Sequence, residues 1–352
     1  HDSRSEVLGR DRDYIQSLVW TTGEPYSLNC ELGNVSVGGV NYAVNAATGL
    51  GAAGTANRCD HTDYQSMAPE ENRNNVLVGF TQDLSESIEL GGRAYFSKRE
   101  SHAHAGALGS TGTWPGDVTI GPSNPHYIPR FDGDTAAQRV QFNYASVVGH
   151  DSATRDTDFE QWGISPTLKV DLGEWRLNLM ANYDKNEVAF QNFVINASAQ
   201  NAGAAGTTLA TALNPYNLAL TNPDVLASIF DWQEAGKETQ TLKDFRVILD
   251  GPIFSLPGGE VMTAVGVEFL DEEYSGRNGT SAIGALDSLK KNTYNRNVKA
   301  YFGELQIPLV GPDNRMPGLE SLRIALSVRH DDYEDFGTTT NPQVGITYEP
   351  VD

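Results

Sequence analysis

Ile88-Glu89-Leu90-Gly91-Gly92-Arg93-Ala94-Tyr95-Phe96-Ser97 alternates strictly along its length. Ile88, Leu90, Gly92, Ala94 and Phe96 fall on one face, and Glu89, Gly91, Arg93, Tyr95 and Ser97 on the other. Successive side chains of a β-strand point to opposite sides, so this is a strand with one apolar and one polar face. Val76, Val78 and Phe80 alternate in the same way with Leu77, Gly79 and Thr81 just upstream. Only Ser85-Glu86-Ser87 lies between the two runs, which predicts a hairpin.

The unit recurs along the chain. Trp162, Ile164, Pro166, Leu168 and Val170 lead through Leu172-Gly173-Glu174 into Trp175, Leu177, Leu179, Ala181 and Tyr183. A third hairpin sets Phe245, Val247 and Leu249 against Val261, Thr263, Val265, Val267 and Phe269. A fourth joins Tyr301, Leu305, Ile307 and Leu309 to Leu322, Ile324, Leu326 and Val328, and Val344, Ile346 and Tyr348 mark a last strand. The pattern predicts nine strands, each near the ~9–11 residues that cross a bilayer when tilted.

Two further features separate a membrane barrel from a soluble sandwich. The connections expected at 85–87, 172–174, 251–260 and 311–320 are short, those at 1–73, 101–158, 185–238 and 271–296 are long, and the two kinds alternate. Short turns at one end and long loops at the other is the layout of outer-membrane barrels. Phe96, Trp162, Trp175, Tyr183, Phe269 and Tyr348 sit near the ends of the apolar faces, where an interfacial girdle belongs. The expected fold is therefore all-β, an antiparallel transmembrane β-barrel segment with long extracellular loops.

Val140, Phe142, Tyr144 and Val148 also alternate, but a spanning strand there would put the 172–174 turn on the wrong side. Parity removes 139–149 from the count and predicts one arm of a hairpin above the membrane, its tip near His150–Asp156. Nine strands would leave two open edges in lipid, so the stretch is expected to be an internal piece of a longer protein. Asn222 followed by Pro223, with Val225, Leu226, Ile229 and Phe230 on one face, predicts a helix inside a long loop.

Composition agrees. The 352 residues include 25 Lys+Arg and 46 Asp+Glu, a formal charge of −21, which disfavours nucleic acid as a partner. Mean hydropathy is −0.40, and no apolar run approaches the ~20 residues of a membrane helix. Cys30 and Cys59 lie in one Gly/Asn-rich stretch. A loop disulfide, formed outside the cytoplasm, is the favoured reading, with two unrelated thiols as the alternative. Two Cys without a nearby His pair make a poor zinc site.

Three C-terminal segments carry a resemblance. They are Asp250-Gly251-Pro252-Ile253-Phe254-Ser255-Leu256-Pro257-Gly258-Gly259-Glu260 with Ala264-Val265-Gly266-Val267-Glu268, then Val298-Lys299-Ala300-Tyr301-Phe302-Gly303-Glu304-Leu305 leading to Pro317-Gly318-Leu319-Glu320-Ser321-Leu322, and Arg329-His330-Asp331-Asp332-Tyr333 running on to Gly345. Together they resemble barrel hairpins of TonB-dependent outer-membrane receptors, whereas the first 240 residues or so match only in style. The resemblance implies a barrel of about 22 strands around a plug domain. It also implies uptake energised by the inner-membrane TonB complex, with siderophores, cobalamin, saccharides or peptides as ligand classes. Outer-membrane lipid, the protein's own plug and that complex are the implied partners. Neither a plug, nor a TonB-contacting box, nor a terminal aromatic strand is found in this stretch.

Candidate site residues follow from the faces. Glu89, Arg93, Tyr95, Arg176, Asn178, Arg246, Glu268, Glu304, Arg323 and Arg329 project opposite to the apolar stripes, and are expected to face the lumen, touching plug, water or ligand. Trp114, Tyr127, Phe131, Tyr216 and Trp232 are expected in outer loops, where aromatic rings could stack on a ligand. The acidic surface disfavours strongly anionic ligands unless Arg93, Arg176, Arg246, Arg323 and Arg329 gather into a basic patch. His102 and His104 share a face, yet a lone His-x-His in a loop is usually solvated, so no metal is expected there. The same holds for Asp331, Asp332, Glu334 and Asp335, where calcium is conceivable. No nucleophile elbow, phosphate-binding glycine loop or His-Glu-x-x-His helix occurs, so neither catalysis nor a cofactor is expected. The alternatives are a passive porin-like channel and a soluble extracellular β-sandwich adhesin or lectin, with a barrel-type enzyme last.

Overall fold

Alternation along the predicted runs becomes a meander of long antiparallel strands, each hydrogen-bonded to its sequence neighbours. The computed structural model describes residues 1–11, 27–59, 64–105 and 116–351. In chain order the strands are β1 (Asp2–Arg4), β2 (Val7–Leu8), β3 (Asn34–Val37), β4 (Val40–Asn45), β5 (Gly49–Leu50), β6 (Ser66–Ala68), β7 (Glu70–Ser85), β8 (Ile88–His104), β9 (Gly116–Ile120), β10 (Gln138–Phe142), β11 (Thr154–Leu172), β12 (Trp175–Val194), β13 (Trp232–Leu256), β14 (Gly259–Ala282), β15 (Asn292–Val310), β16 (Ser321–Tyr333) and β17 (Gly337–Glu349). Helices α1 (Ala145–Val148), α2 (Ala197–Ala204) and α3 (Pro223–Phe230) lie in the connections.

The large sheet has the order β1-β7-β8-β11-β12-β13-β14-β15-β16-β17, so nine long strands follow one another and the three-residue β1 pairs on the β7 edge. The nine expected runs lie on the nine long strands. The hairpin turns are tight for local reasons. Gly173 takes φ +72° between β11 and β12, a left-handed conformation that a Cβ penalises. Pro252 and Pro308 sit beside register shifts in β13 and β15, where a missing N–H is tolerated.

The strands are far longer than a bilayer needs. β13 has 25 residues and β14 has 24, against the ~9–11 expected. The loops expected at 185–238 and 271–296 therefore shrink to 195–231 and 283–291. Backbone pairing continues past the end of the period-two apolar stripe, through polar stretches such as Lys237-Glu238-Thr239-Gln240-Thr241 and Asp271-Glu272-Glu273, where hydrophobic periodicity gives no signal. His102 and His104, expected in a loop, are the last rungs of β8, and Trp232 opens β13. The turn at 334–336 is tight although it lies at the end where the other connections are long.

Those long connections fold together into a cap with its own five-stranded sheet, β5-β4-β3-β10-β9. Parity correctly removed β10 from the large sheet, but the expected hairpin with a tip near His150–Asp156 does not form. β10 pairs instead with β3 and β9, and Val148 ends α1. Helix α3 forms as expected, with the Asn222 side chain accepting from the Asp224 amide at 2.9 Å and Pro223 in its first turn. Tyr144, Phe142, Ile120, Ile195, Leu213 and Ile229 make the cap core. Cys30 and Cys59 are joined by a disulfide, with Cα atoms 5.7 Å apart.

The large sheet buries its apolar face against nothing among the described residues. Trp162 is 39% exposed, Phe245 and Phe269 44%, Tyr301 50%.

Candidate ligand-binding face

Register assigns every strand residue to one of two faces. On the apolar face, Phe96 lies beside Trp162, Ile164 beside Tyr183, and Phe245 beside Phe269. This aromatic row stands at the long-loop end, and Trp175 and Tyr348 stand at the short-turn end of the same face. From Trp175 to Tyr183 along a tilted strand is about 20 Å at ~3.3 Å per residue. Beyond the upper aromatics the face turns charged at Lys98, Lys185, Lys243, Asp271, Lys299 and Asp332.

The opposite face is polar and well paired. Lys169 meets Glu89 at 2.7 Å, Asn178 donates to Asp250 at 2.9 Å, and Arg176 meets Asp171 at 2.8 Å near the short turns. At mid-height Glu268 accepts from Arg246 at 2.7 Å and from Arg329 at 2.8 Å, and Arg329 also donates to Asp331 at 2.8 Å. Glu268 and Asp331 are buried, while a buried oxygen of Asp244 and the Arg246 Nε have no partner.

Above this network lies a cavity of about 950 Å³, which begins beside Phe96 and Trp162 on β8 and β11 and reaches beyond the apolar stripe on β13 to β15. Its lining includes Tyr95, Gln161, Asp184, Asn186, Gln240, Leu242, Glu272, Glu273, Tyr274, Tyr294, Arg296 and Asp335. The Tyr95 hydroxyl donates to Asp184 and accepts from Gln161 at 3.0 Å. The Tyr274 and Tyr294 rings lie 6.0 Å apart, and Asn186 donates to Gln240 at 3.2 Å. Arg296 is held by Asp335 through two bonds of 3.0 and 2.9 Å. Rings, amides and carboxylates on adjacent strands can hold a polar ligand by stacking and hydrogen bonding. The only guanidinium present is already committed to a carboxylate.

The expected site residues separate accordingly. Tyr95 lies in the cavity. Arg93 and Arg323 are exposed on the polar face with no hydrogen-bond or ion-pair partner among the described residues. Arg246 joins the Glu268 network, and Arg176 sits near the short turns. Arg246 and Arg329 meet at the shared carboxylate of Glu268, while Arg176 is held by Asp171 near the short turns, so the five arginines do not gather into one basic patch. Tyr216, expected to stack on ligand from an outer loop, is instead cap core: its hydroxyl donates to Gln138 at 2.6 Å, and burial raises its pKa. Trp232 is half-buried between Val194 and Ala282, and Trp114 lies outside the described residues. Phe131 is exposed, and the Tyr127 hydroxyl donates to the Ala136 carbonyl.

His102 contacts Asp156 at 2.6 Å and His104 contacts Glu6 at 2.8 Å. Among the described residues no three His, Cys, Asp or Glu side chains converge as a metal requires. Asp184, Glu272, Tyr274, Tyr294 and Arg296 were missed by the sequence reading. Most fall in stretches it assigned to loops, although Glu272, Tyr274 and Asn278 continue the even-numbered face of β14.

No family model matches the chain, and no curated protein matches it. Among solved structures it is similar to the RagAB peptide importer in the open-open state, with 13% identity, a TM-score of 0.49, and coverage of 88% of this chain and 31% of that one. The same importer in the closed-closed state gives 12% identity and a TM-score of 0.49, covering 88% and 32%. The RagAB peptide transporter gives 12% and 0.48, covering 80% and 30%. The chain thus spans about a third of the length of these solved chains.

Proposed function

We propose that this chain is part of the wall of an outer-membrane β-barrel of the TonB-dependent receptor kind, whose work is ligand capture and uptake without catalysis. The reading rests on one observation: a contiguous exposed apolar face across nine strands, about 20 Å tall, edged by aromatics and then by charge. Monomeric soluble proteins rarely leave so large an apolar patch uncovered. In this reading the apolar face meets outer-membrane lipid, and the polar face meets plug and lumen water. The cap and the 950 Å³ cavity stand on the external side, and the inner-membrane TonB complex acts from the other. Siderophore, cobalamin, saccharide and peptide remain the ligand classes implied by the resemblance.

The test is topological. Cys30 and Cys59 are bonded to each other, so a single cysteine introduced into this stretch is scored against the labelling of the unsubstituted full-length protein. On intact cells an impermeant maleimide should label Asp287→Cys in the 283–291 loop and leave Glu174→Cys in the β11–β12 turn untouched. Labelling of Glu174→Cys on intact cells, or recovery of the protein in the soluble fraction, overturns the reading.

A further inference from the structure

Two neighbouring rungs of the polar face build the 950 Å³ cavity. The lower rung ends in Leu242, Glu272 and Arg296 on β13 to β15, and the upper one in Gln240, Tyr274 and Tyr294. Most polar groups here are spent on one another. Tyr95 bonds both Asp184 and Gln161, Asn186 donates to Gln240, and Arg296 is held by Asp335. Two features stay open. Glu272 is exposed and has no hydrogen bond or ion pair among the described residues, because Arg296, its neighbour across the ladder, spends its guanidinium on Asp335. One rung up, the Tyr274 ring lies over Gly276, where a Cβ would stand 2.6 Å from its hydroxyl oxygen. The Tyr294 ring follows it at a tilt of 31° and is 66% exposed. An open tyrosine face therefore stands beside a carboxylate with no direct partner.

The charges around the cavity do not cancel. Glu273 occupies an odd-numbered position of β14, so its side chain points to the other face. That leaves Asp184, Glu272 and Asp335 against Arg296 in the lining. The rung above adds Arg99, packed over Phe159, and Glu238, and the rung below adds Arg93 and Asp244. These flanking charges balance in number, but both arginines stand on β8, at the far end of the cavity from Glu272. The β14 end is therefore acidic.

We infer that this cavity seats a cationic group of the captured ligand, an ammonium or a guanidinium, over the Tyr274 and Tyr294 rings and against the Glu272 carboxylate. Tyrosine faces attract cations, and the Glu272 carboxylate supplies the opposite charge. A neutral polyol meets amides already bonded to their neighbours, and an anion meets like charge. The place also suits capture, since the cavity stands at the long-loop end. The inference rests on the capture reading above and names the ligand's charge.

The experiment is calorimetric titration of the full-length protein in detergent, at low salt, with tetralysine, maltotetraose and tetraglutamate as probes. Bilayer insertion is scored separately by heat-modifiable mobility. The expected result is one-to-one binding of tetralysine, at least tenfold tighter than either other probe. Glu272→Gln and Tyr294→Ala should each weaken it at least tenfold. Glu86→Gln, which removes the same charge from the short-turn end, should leave it unchanged. Inserted protein that fails to bind tetralysine, prefers either other probe, or loses as much affinity in Glu86→Gln as in Glu272→Gln overturns the site and leaves the membrane reading standing. Protein that does not insert overturns the membrane reading, and the site with it.

Discussion

The Tyr95 hydroxyl on β8 reaches the Asp184 carboxylate on β12 across the intervening strand β11, because the residue between them is Gly163. A Cβ on Gly163 would stand 2.0 Å from Asp184 Oδ1 and 2.7 Å from Tyr95 Cε1. Gly163→Ala should therefore break the bond and cost about 1–3 kcal/mol, whereas Tyr95→Phe removes only the hydroxyl and costs about 1 kcal/mol. Thermal unfolding of the inserted protein checks the order: the alanine variant should melt lower than the phenylalanine variant.

Glu268 is the shared acceptor of Arg246 and Arg329, so its removal leaves two guanidiniums without their buried partner. Both arginines are partly exposed, which moderates the penalty to about 1–3 kcal/mol for Glu268→Gln. Arg93 is exposed with no hydrogen-bond or ion-pair partner among the described residues, and Arg93→Ala should fall within about 0.5 kcal/mol of the parent. Denaturant titration of both variants should separate them clearly, and equal stabilities would contradict the network's role.

The two faces of β13 predict opposite tolerance. Val247 is central on the apolar face and Ile248 is its neighbour on the polar face. Val247→Arg should cost about 2–4 kcal/mol in the bilayer and reduce insertion. Ile248→Arg should insert normally. Measuring the folded fraction of each in vesicles decides the matter.

His126 in the cap hydrogen-bonds Asn214 through Nδ1 at 3.2 Å, and its Nε2 is buried without a partner. Burial lowers its pKa, so the folded cap favours the neutral ring and the unfolded chain binds more protons in acid. Cap stability should fall as pH drops below ~6.5, the ordinary His value, and through the lowered one. Hydrogen exchange of cap amides between pH 7.5 and 5 should show the loss, and His126→Gln should flatten it.

The Cys30–Cys59 disulfide spans 29 residues of sequence. Loop-closure entropy assigns such a link about 3–4 kcal/mol. The effect should stay local, because the cap has its own core: the double Cys→Ser variant should lose protease resistance in the cap while the large sheet keeps its melting temperature.

The nine long strands were legible because each carries an apolar stripe with period two. Their extensions were not, since the stripe stops at Tyr183, Phe245, Phe269 and Tyr301 while backbone pairing runs on through residues that no longer keep one face apolar. The cap was hidden for another reason. Its strands are two to six residues long, and Val35 meets Val140 across more than a hundred residues of chain. Parity could show that Val140 does not belong to the large sheet but could not name its partner. At the cavity, Tyr95 was found because it lies on a striped strand. Tyr274 and Tyr294 were not, because their strands have no apolar face at that height.

Phe245, Phe269, Lys299 and Asp332 share one rung, yet what stands above them differs greatly. β13 climbs from Phe245 to Trp232, whereas β16 stops at Tyr333, the residue after Asp332, and turns back through 334–336. The rim of this wall is stepped, with a high parapet at β13–β14 and a sill at β16–β17. The tyrosine-lined cavity takes Asp335, from the sill, into its lining. In the proposed barrel wall, this step leaves the β15 edge that carries Tyr294 unflanked by β16 beyond Val298.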